Sequence, residues 1–307
     1  MTDFPLQIKG LNKSFGKNHI IKDMSFQLKR GQIYGFLGPN GSGKTTTIRM
    51  IVSLIAPDSG DVIIEGNNIR TNRKQALSKI GAIVEDPDLY GYLTGQQNLE
   101  HFARLSNQVI SKERIKEVVS LVELEGAMKK KVKSYSLGMK QRLGIAVSLL
   151  HRPSVLILDE PTNGLDPKGI RDLRSYLQRL AKEDGVTLLV SSHQLSEIET
   201  LCDRAIVIKK GEVVDEISMS DDERTEQTLT VKIEAKPATK AFEILSTYGA
   251  VKQNGTAVEL EKQSYEEIPN IVAALINEQV HVYGVTYQNR LEDAYFTLTE
   301  EREEEVS

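Results

Sequence analysis

Gly38-Pro39-Asn40-Gly41-Ser42-Gly43-Lys44-Thr45 spells G-x-x-x-x-G-K-[ST], a spacing suited to phosphate. Glycines let successive backbone N–H groups turn toward one anion, and a helix starting at the lysine adds the positive end of its dipole. Lys44 is then within reach of the β- and γ-phosphates of a nucleotide, and the Thr45 hydroxyl is placed as a ligand of Mg²⁺. The alternative is a glycine-rich turn that binds nothing.

A second group of chemical residues follows a buried-strand pattern. In VLILDE (Val155 to Glu160), four apolar residues precede two carboxylates. Such a strand delivers Asp159 to its carboxyl end, where it can hold Mg²⁺ directly or through water. Glu160 becomes a candidate general base or orienter of an attacking water. An acidic pair after an apolar strand more often begins a helix, and only its pairing with the phosphate loop favours catalysis. His193 ends a third apolar run, VTLLVSSH. A lone histidine there is usually structural. At the carboxyl end of a neighbouring strand it can instead hydrogen-bond a γ-phosphate and hold the water.

The elements needed to bring these groups together are legible. QIYGFLG (Gln32 to Gly38) reads as a buried strand and Lys44 to Ile55 as a helix. Ile170, Leu173, Leu177 and Leu180 give one helix its apolar face, and Arg204 to Val214 reads as further β-structure. Strands separated by helices predict a parallel α/β sheet with ligands at the carboxyl ends of its strands. The sequence predicts this domain over residues 1–217 and a polar linker over 218–227. A small α+β domain of order βαββαβ, compatible with a ferredoxin-like fold, is predicted over 228–300, with an acidic tail at 301–307. Composition narrows the function. A net charge of −4 argues against a general nucleic-acid binder. One cysteine, Cys202, allows no internal disulfide and fits a reducing compartment. With no apolar signal core and no long apolar run, the expectation is a cytoplasmic protein unless a partner brings it to a membrane. The run KKKVK (Lys129 to Lys133) reads as a solvated loop, with a partner or lipid headgroups as the alternative.

GPNGSGKTT, YSLGMKQR, ILDEPTNGLDP and SSH stand in this order over residues 4–215, and the set resembles the nucleotide-binding subunit of an ABC transporter. The resemblance implies an α/β P-loop ABC-type ATPase domain with a helical signature subdomain. Gly38 through Thr46 would bind ATP, and Phe15 in KSFG would stack on adenine rather than fill a core. His193 looks like the switch histidine, and Asp166 like the D-loop aspartate that contacts the other subunit. Tyr135 to Met139 align with the LSGGQ signature, so that Ser136 and the Gly138 amide would meet the γ-phosphate of ATP held by a second copy of the chain. Separate transmembrane permease subunits and Mg²⁺ are implied too, as is a peripheral position at the inner face of the cell membrane.

Two departures are informative. Leu137 and Met139 replace a glycine and a glutamine of the signature, and Glu85 stands at the Q-loop glutamine position. A carboxylate there can bind Mg²⁺ or order water, or it can be a surface acid in a loop. Both departures, with LTGQQNL and RLEDAYFTLTE (Arg290 to Glu300), resemble the ATPases of bacterial bacitracin- and lantibiotic-type export and immunity. A single unsplit cassette without coiled-coil heptads disfavours ABC proteins of translation or chromosome maintenance. A regulatory module that holds ATP without turnover is the other alternative.

Overall fold

The computed structural model describes residues 2–106, 108–219, 229–255 and 257–288. The expected linker from residue 220 onward, the Arg290–Glu300 segment and the acidic tail lie outside those residues. The chain divides into two compact units, residues 1–216 and 217–307.

The first unit is built on a six-stranded sheet. β3 (Ile33–Leu37), β7 (Val155–Asp159) and β8 (Thr187–Ser192) are buried along their whole length, as continuous apolar runs require when both faces of a sheet are covered. With β6 (Ile80–Ile83), β9 (Arg204–Lys209) and β10 (Glu212–Ser218), the order is β10-β9-β3-β8-β7-β6. β9, β3, β8, β7 and β6 pair in parallel. β8 therefore lies between β3 and β7, and the three carboxyl ends emerge side by side. That adjacency positions the chemistry.

The helices follow from the same pattern, with one shift. α1 (Lys44–Ile51) leaves the phosphate loop but stops four residues short of the expected Ile55. Ser53 takes a left-handed φ of 60°, and the Leu54 N–H turns back onto Arg49 O, which closes the last turn. α2 (Arg73–Leu77) precedes β6, and α6 (Pro167–Lys182) and α7 (Leu195–Leu201) flank β8. Between β6 and β7 the chain folds α3 (Gly95–Leu105), α4 (Lys112–Leu121) and α5 (Leu137–Leu149).

A second sheet was not anticipated. β1 (Leu6–Phe15), β2 (Asn18–Leu28), β4 (Ser59–Ile64) and β5 (Asn67–Asn68) form an antiparallel sheet of order β2-β1-β4-β5. Its alternating apolar residues Leu6, Ile8, Met24 and Phe26 share one core with Phe36, Ile157 and Leu189 of the parallel sheet.

The second unit has its own core. β11 (Leu229–Lys236), α8 (Ala238–Leu245), β12 (Val251–Asn254), β13 (Ala257–Gln263), α9 (Ile268–Asn277) and β14 (His281–Gln288) follow in βαββαβ order. The sheet order is β12-β13-β11-β14, with every neighbouring pair antiparallel. Val231, Ile233, Ala241, Leu245, Ile271 and Leu275 fill its centre. Among the described residues no helix is long and apolar enough to cross a membrane.

Candidate nucleotide site

The phosphate loop is shaped by what its glycines exclude. Gly43 holds φ at 108°, a left-handed value that side chains avoid. A methyl on Gly38 would stand 2.5 Å from the carbonyl oxygen of Ile208 on β9. The loop is pinned by Ser42 N–H donating to Pro39 O and Gly211 N–H donating to Ser42 O. α1 begins with no capping side chain and no acidic residue in its first turn, so its amino end keeps its attraction for an anion. Lys44 is buried, its Nζ donating to Gly38 O at 2.6 Å and Pro39 O at 3.4 Å. Burial lowers its pKa, and the nearby Glu160 and Asp159 carboxylates pull it part of the way back. The buried Ser42 hydroxyl makes no hydrogen bond within the protein. Phosphate oxygens would satisfy that hydroxyl and hold the ammonium in its charged form.

The ends of β7 and β8 carry a connected set of bonds. Ser191 Oγ donates to Asp159 Oδ1 at 2.5 Å and accepts from the Glu160 N–H at 2.9 Å. Asp159 is 4% exposed, whereas Glu160 turns out with a left-handed φ of 49°. His193 Nδ1 lies 2.8 Å from Glu160 Oε2. An ionised carboxylate can only accept, so Nδ1–H is the donor of that bond. Sequence spacing placed Asp159, Glu160 and His193, but it missed Ser191. The signal for it was two serines inside an otherwise apolar strand beside the carboxylates.

The remaining predicted residues stand in local roles. Phe15 is 51% exposed with Lys13 Nζ over its ring, so it is not part of the core. Asn40 and Gly41 are exposed at the crest of the loop, and Thr45 and Thr46 are partly exposed on the first turn of α1. Ser136 caps α5, accepting from Met139 N–H, while the buried Tyr135 donates its hydroxyl to Ala127 O. Asp166 caps α6, accepting from Gly169 N–H. Ser136, Leu137, Gly138, Gly164 and Asp166 line a cavity of about 370 Å³ where α5 and α6 begin. The carboxylate of Glu85 pairs with Arg49 of α1, a partner that the sequence pattern does not reveal.

Comparison with known proteins places this geometry. A family model described as "ABC transporter" matches residues 21–163. The Bacillus subtilis (strain 168) ABC transporter ATP-binding protein YhcH is 46% identical over 98% of both chains. The chain belongs to the ABC transporter ATP-binding proteins. The bacitracin transport ATP-binding protein BcrA of Bacillus licheniformis is 49% identical over 67% of each chain. A dimeric structure of the ATP-binding cassette MJ0796 in a post-hydrolysis state bound to ADP and Pi matches with a TM-score of 0.62 and 28% identity. It covers 70% of this chain and 99% of that one. The ABC ATPase fold of the first unit and its place among nucleotide-binding ATPases are thereby established.

This ABC cassette also carries a donor set suited to Mg²⁺. Among the described residues no three His, Cys, Asp or Glu side chains gather to cage a metal alone. A buried carboxylate, Asp159, and the hydroxyl of Thr45 are hard oxygen donors. Mg²⁺ prefers such a sparse set, completed by phosphate and water.

Proposed function

We propose that this chain hydrolyses ATP as the motor of a bacterial exporter that removes, or confers resistance to, a peptide antibiotic. The observation that carries the hydrolytic reading is the convergence at three strand ends of the phosphate loop, Asp159 and the Glu160–His193 pair. The kinship with bacitracin transport proteins supports the cargo class.

In this reading Gly38 through Thr46 cradle the triphosphate and Lys44 leaves its own loop carbonyls for the β- and γ-phosphates. Phe15, exposed at the end of β1, stacks on adenine. Thr45 and Asp159 hold Mg²⁺, which neutralises charge on the phosphates. Glu160 accepts a proton from the attacking water, and His193 orients that carboxylate through Nδ1 while Nε2 faces the γ-phosphate. Ser136 and the Gly138 amide complete the site of a second copy, with Asp166 at the same face.

Docking on separate membrane subunits would hold the chain at the inner membrane face, and closure of two chains around ATP would move those subunits. A groove beside the Glu85 segment, about 350 Å³ and lined by Leu54, Pro87, Leu89, Phe102 and Val147, suits a short apolar element of such a subunit. Glu85, held by Arg49, acts there in coupling rather than as a metal ligand.

Steady-state ATP hydrolysis by the purified chain tests the reading. Turnover should require Mg²⁺ and fall on the order of 100-fold or more in Glu160→Gln, while nucleotide binding is retained. Equal turnover in the two proteins removes Glu160 from the catalytic role.

A further inference from the structure

We infer that Glu197 is a positioning residue for ATP hydrolysis, setting the separation and aim of Glu160 and His193. The inference rests on the catalytic roles proposed for that pair.

One carboxylate oxygen of Glu197, Oε2, accepts two hydrogen bonds: from Thr162 Oγ1 at 2.7 Å and from Ser192 Oγ at 2.7 Å. Thr162 lies two residues beyond Glu160, and Ser192 directly precedes His193. Both donors are nearly inaccessible, at 8% and 1% exposure, so water is a poor substitute for the carboxylate. Ser192 Oγ also accepts from Gln194 N–H at 3.0 Å, which braces the turn carrying His193 from both sides.

The two loops need such a brace. Glu160 sits at a left-handed φ, a conformation that persists in a side-chain-bearing residue only when its surroundings over-determine it. The Ser191 hydroxyl fixes the Glu160 N–H on one side, and the Thr162–Glu197 bond fixes the chain just beyond it.

Glu197 is itself referenced to the phosphate loop. It lies on α7, whose Ile198 fills the notch left by Gly35 on β3; a methyl on Gly35 would stand 2.5 Å from Ile198 Cγ2. One carboxylate therefore ties the ends of β7 and β8 to the strand that launches residues 38–45. These are the three strands whose relative placement sets the distance from phosphate to base. Misplacing reacting groups by about 1 Å costs on the order of 100-fold in rate.

The test compares ATP turnover and melting temperature in full-length Glu197→Ala, Glu197→Gln and Thr162→Val/Ser192→Ala, with Glu160→Gln as reference. Glu197→Ala should lower kcat roughly 10- to 100-fold with KM for ATP within about threefold, because orientation rather than binding is lost. Glu197→Gln, whose amide oxygen still accepts both bonds, should keep kcat within about threefold of the parent. The Thr162→Val/Ser192→Ala protein should reproduce the Glu197→Ala defect, and adding Glu197→Ala to it should change little more. If Glu197→Ala does not fold, the double variant tests the same brace from the donor side. Parental kcat in Glu197→Ala or in the double variant, while Glu160→Gln is inactive, overturns the inference alone. So does a Glu197→Gln protein as slow as Glu197→Ala, or a defect confined to KM. Full turnover in Glu160→Gln overturns the catalytic reading and this inference together.

Discussion

Gly38 shows how much of this site is decided by single atoms. The absence of a Cβ lets the turn after β3 pass against the Ile208 carbonyl, and that backbone oxygen yields less easily than the Ser42 and Ile208 side-chain atoms beside it. Gly38→Ala should therefore shift the loop, weakening nucleotide affinity at least tenfold and destabilising the fold by about 1–3 kcal/mol. Fluorescent-nucleotide titration and thermal melting check both, and parental affinity would mean that the cradle tolerates the methyl. Lys44, Asp159, Glu160 and His193 were legible because each stands at a fixed offset from an apolar run. Ser191, Arg49 and Glu197 were not, because Asp159, Glu85 and Thr162, which they meet, lie more than 30 residues away in sequence and only the fold brings them together. The Glu85 carboxylate belongs to the same lesson. Its charge, awkward beside an anionic site, is met by Arg49 on α1, an exposed pair worth about 0–1 kcal/mol.

At the level of elements, the buried strands declared themselves and the alternating ones did not. VLILDE and VTLLVSSH are continuous apolar runs, whereas β1 and β2 hide their pattern behind polar residues and several register shifts. The antiparallel sheet was missed for that reason. The junction of β6 with the turn after α5 carries a titratable group. His151 Nε2 lies 2.7 Å from Ile80 O, and burial, helped by Arg114 and Lys79, holds the imidazole pKa below its ordinary value of 6.5 despite that hydrogen bond. Between the folded and unfolded pKa values the unfolded chain binds a proton that the folded chain does not. Stability from this group is thus intact above pH 6.5 and is lost as pH falls below it. The drop in melting temperature between about pH 7.5 and 5.5 should be smaller in His151→Gln, which keeps a donor for Ile80 O without titrating. Parallel pH profiles for the two proteins would remove His151 from that dependence.

For the molecule as a whole, the proposed function requires a single chain to supply two unlike halves of an ATP site. The phosphate loop with its Glu160–His193 pair would form one half, and Ser136 and Gly138 at the start of α5 the other. The local structure keeps the parts of the altered signature that the proposed trans contact would need. Leu137 packs so closely against the D-loop that a methyl on Gly164 would come within 2.7 Å of it, while Ser136 and Gly138 keep the hydroxyl and amide at the helix start. The residue types of the signature were readable from sequence; its cis contact with residues 164 and 165 was not. In the proposed mechanism two copies close around ATP, each presenting its signature to the other's phosphate loop. Sedimentation velocity of Glu160→Gln, with and without ATP, tests this most directly. The mass should double with saturating ATP, and adding Gly138→Asp should abolish that doubling while leaving monomer nucleotide affinity unchanged. A Glu160→Gln protein that stays monomeric at saturating ATP, or a Gly138→Asp chain that still dimerises fully, would rule out closure of two copies through the signature.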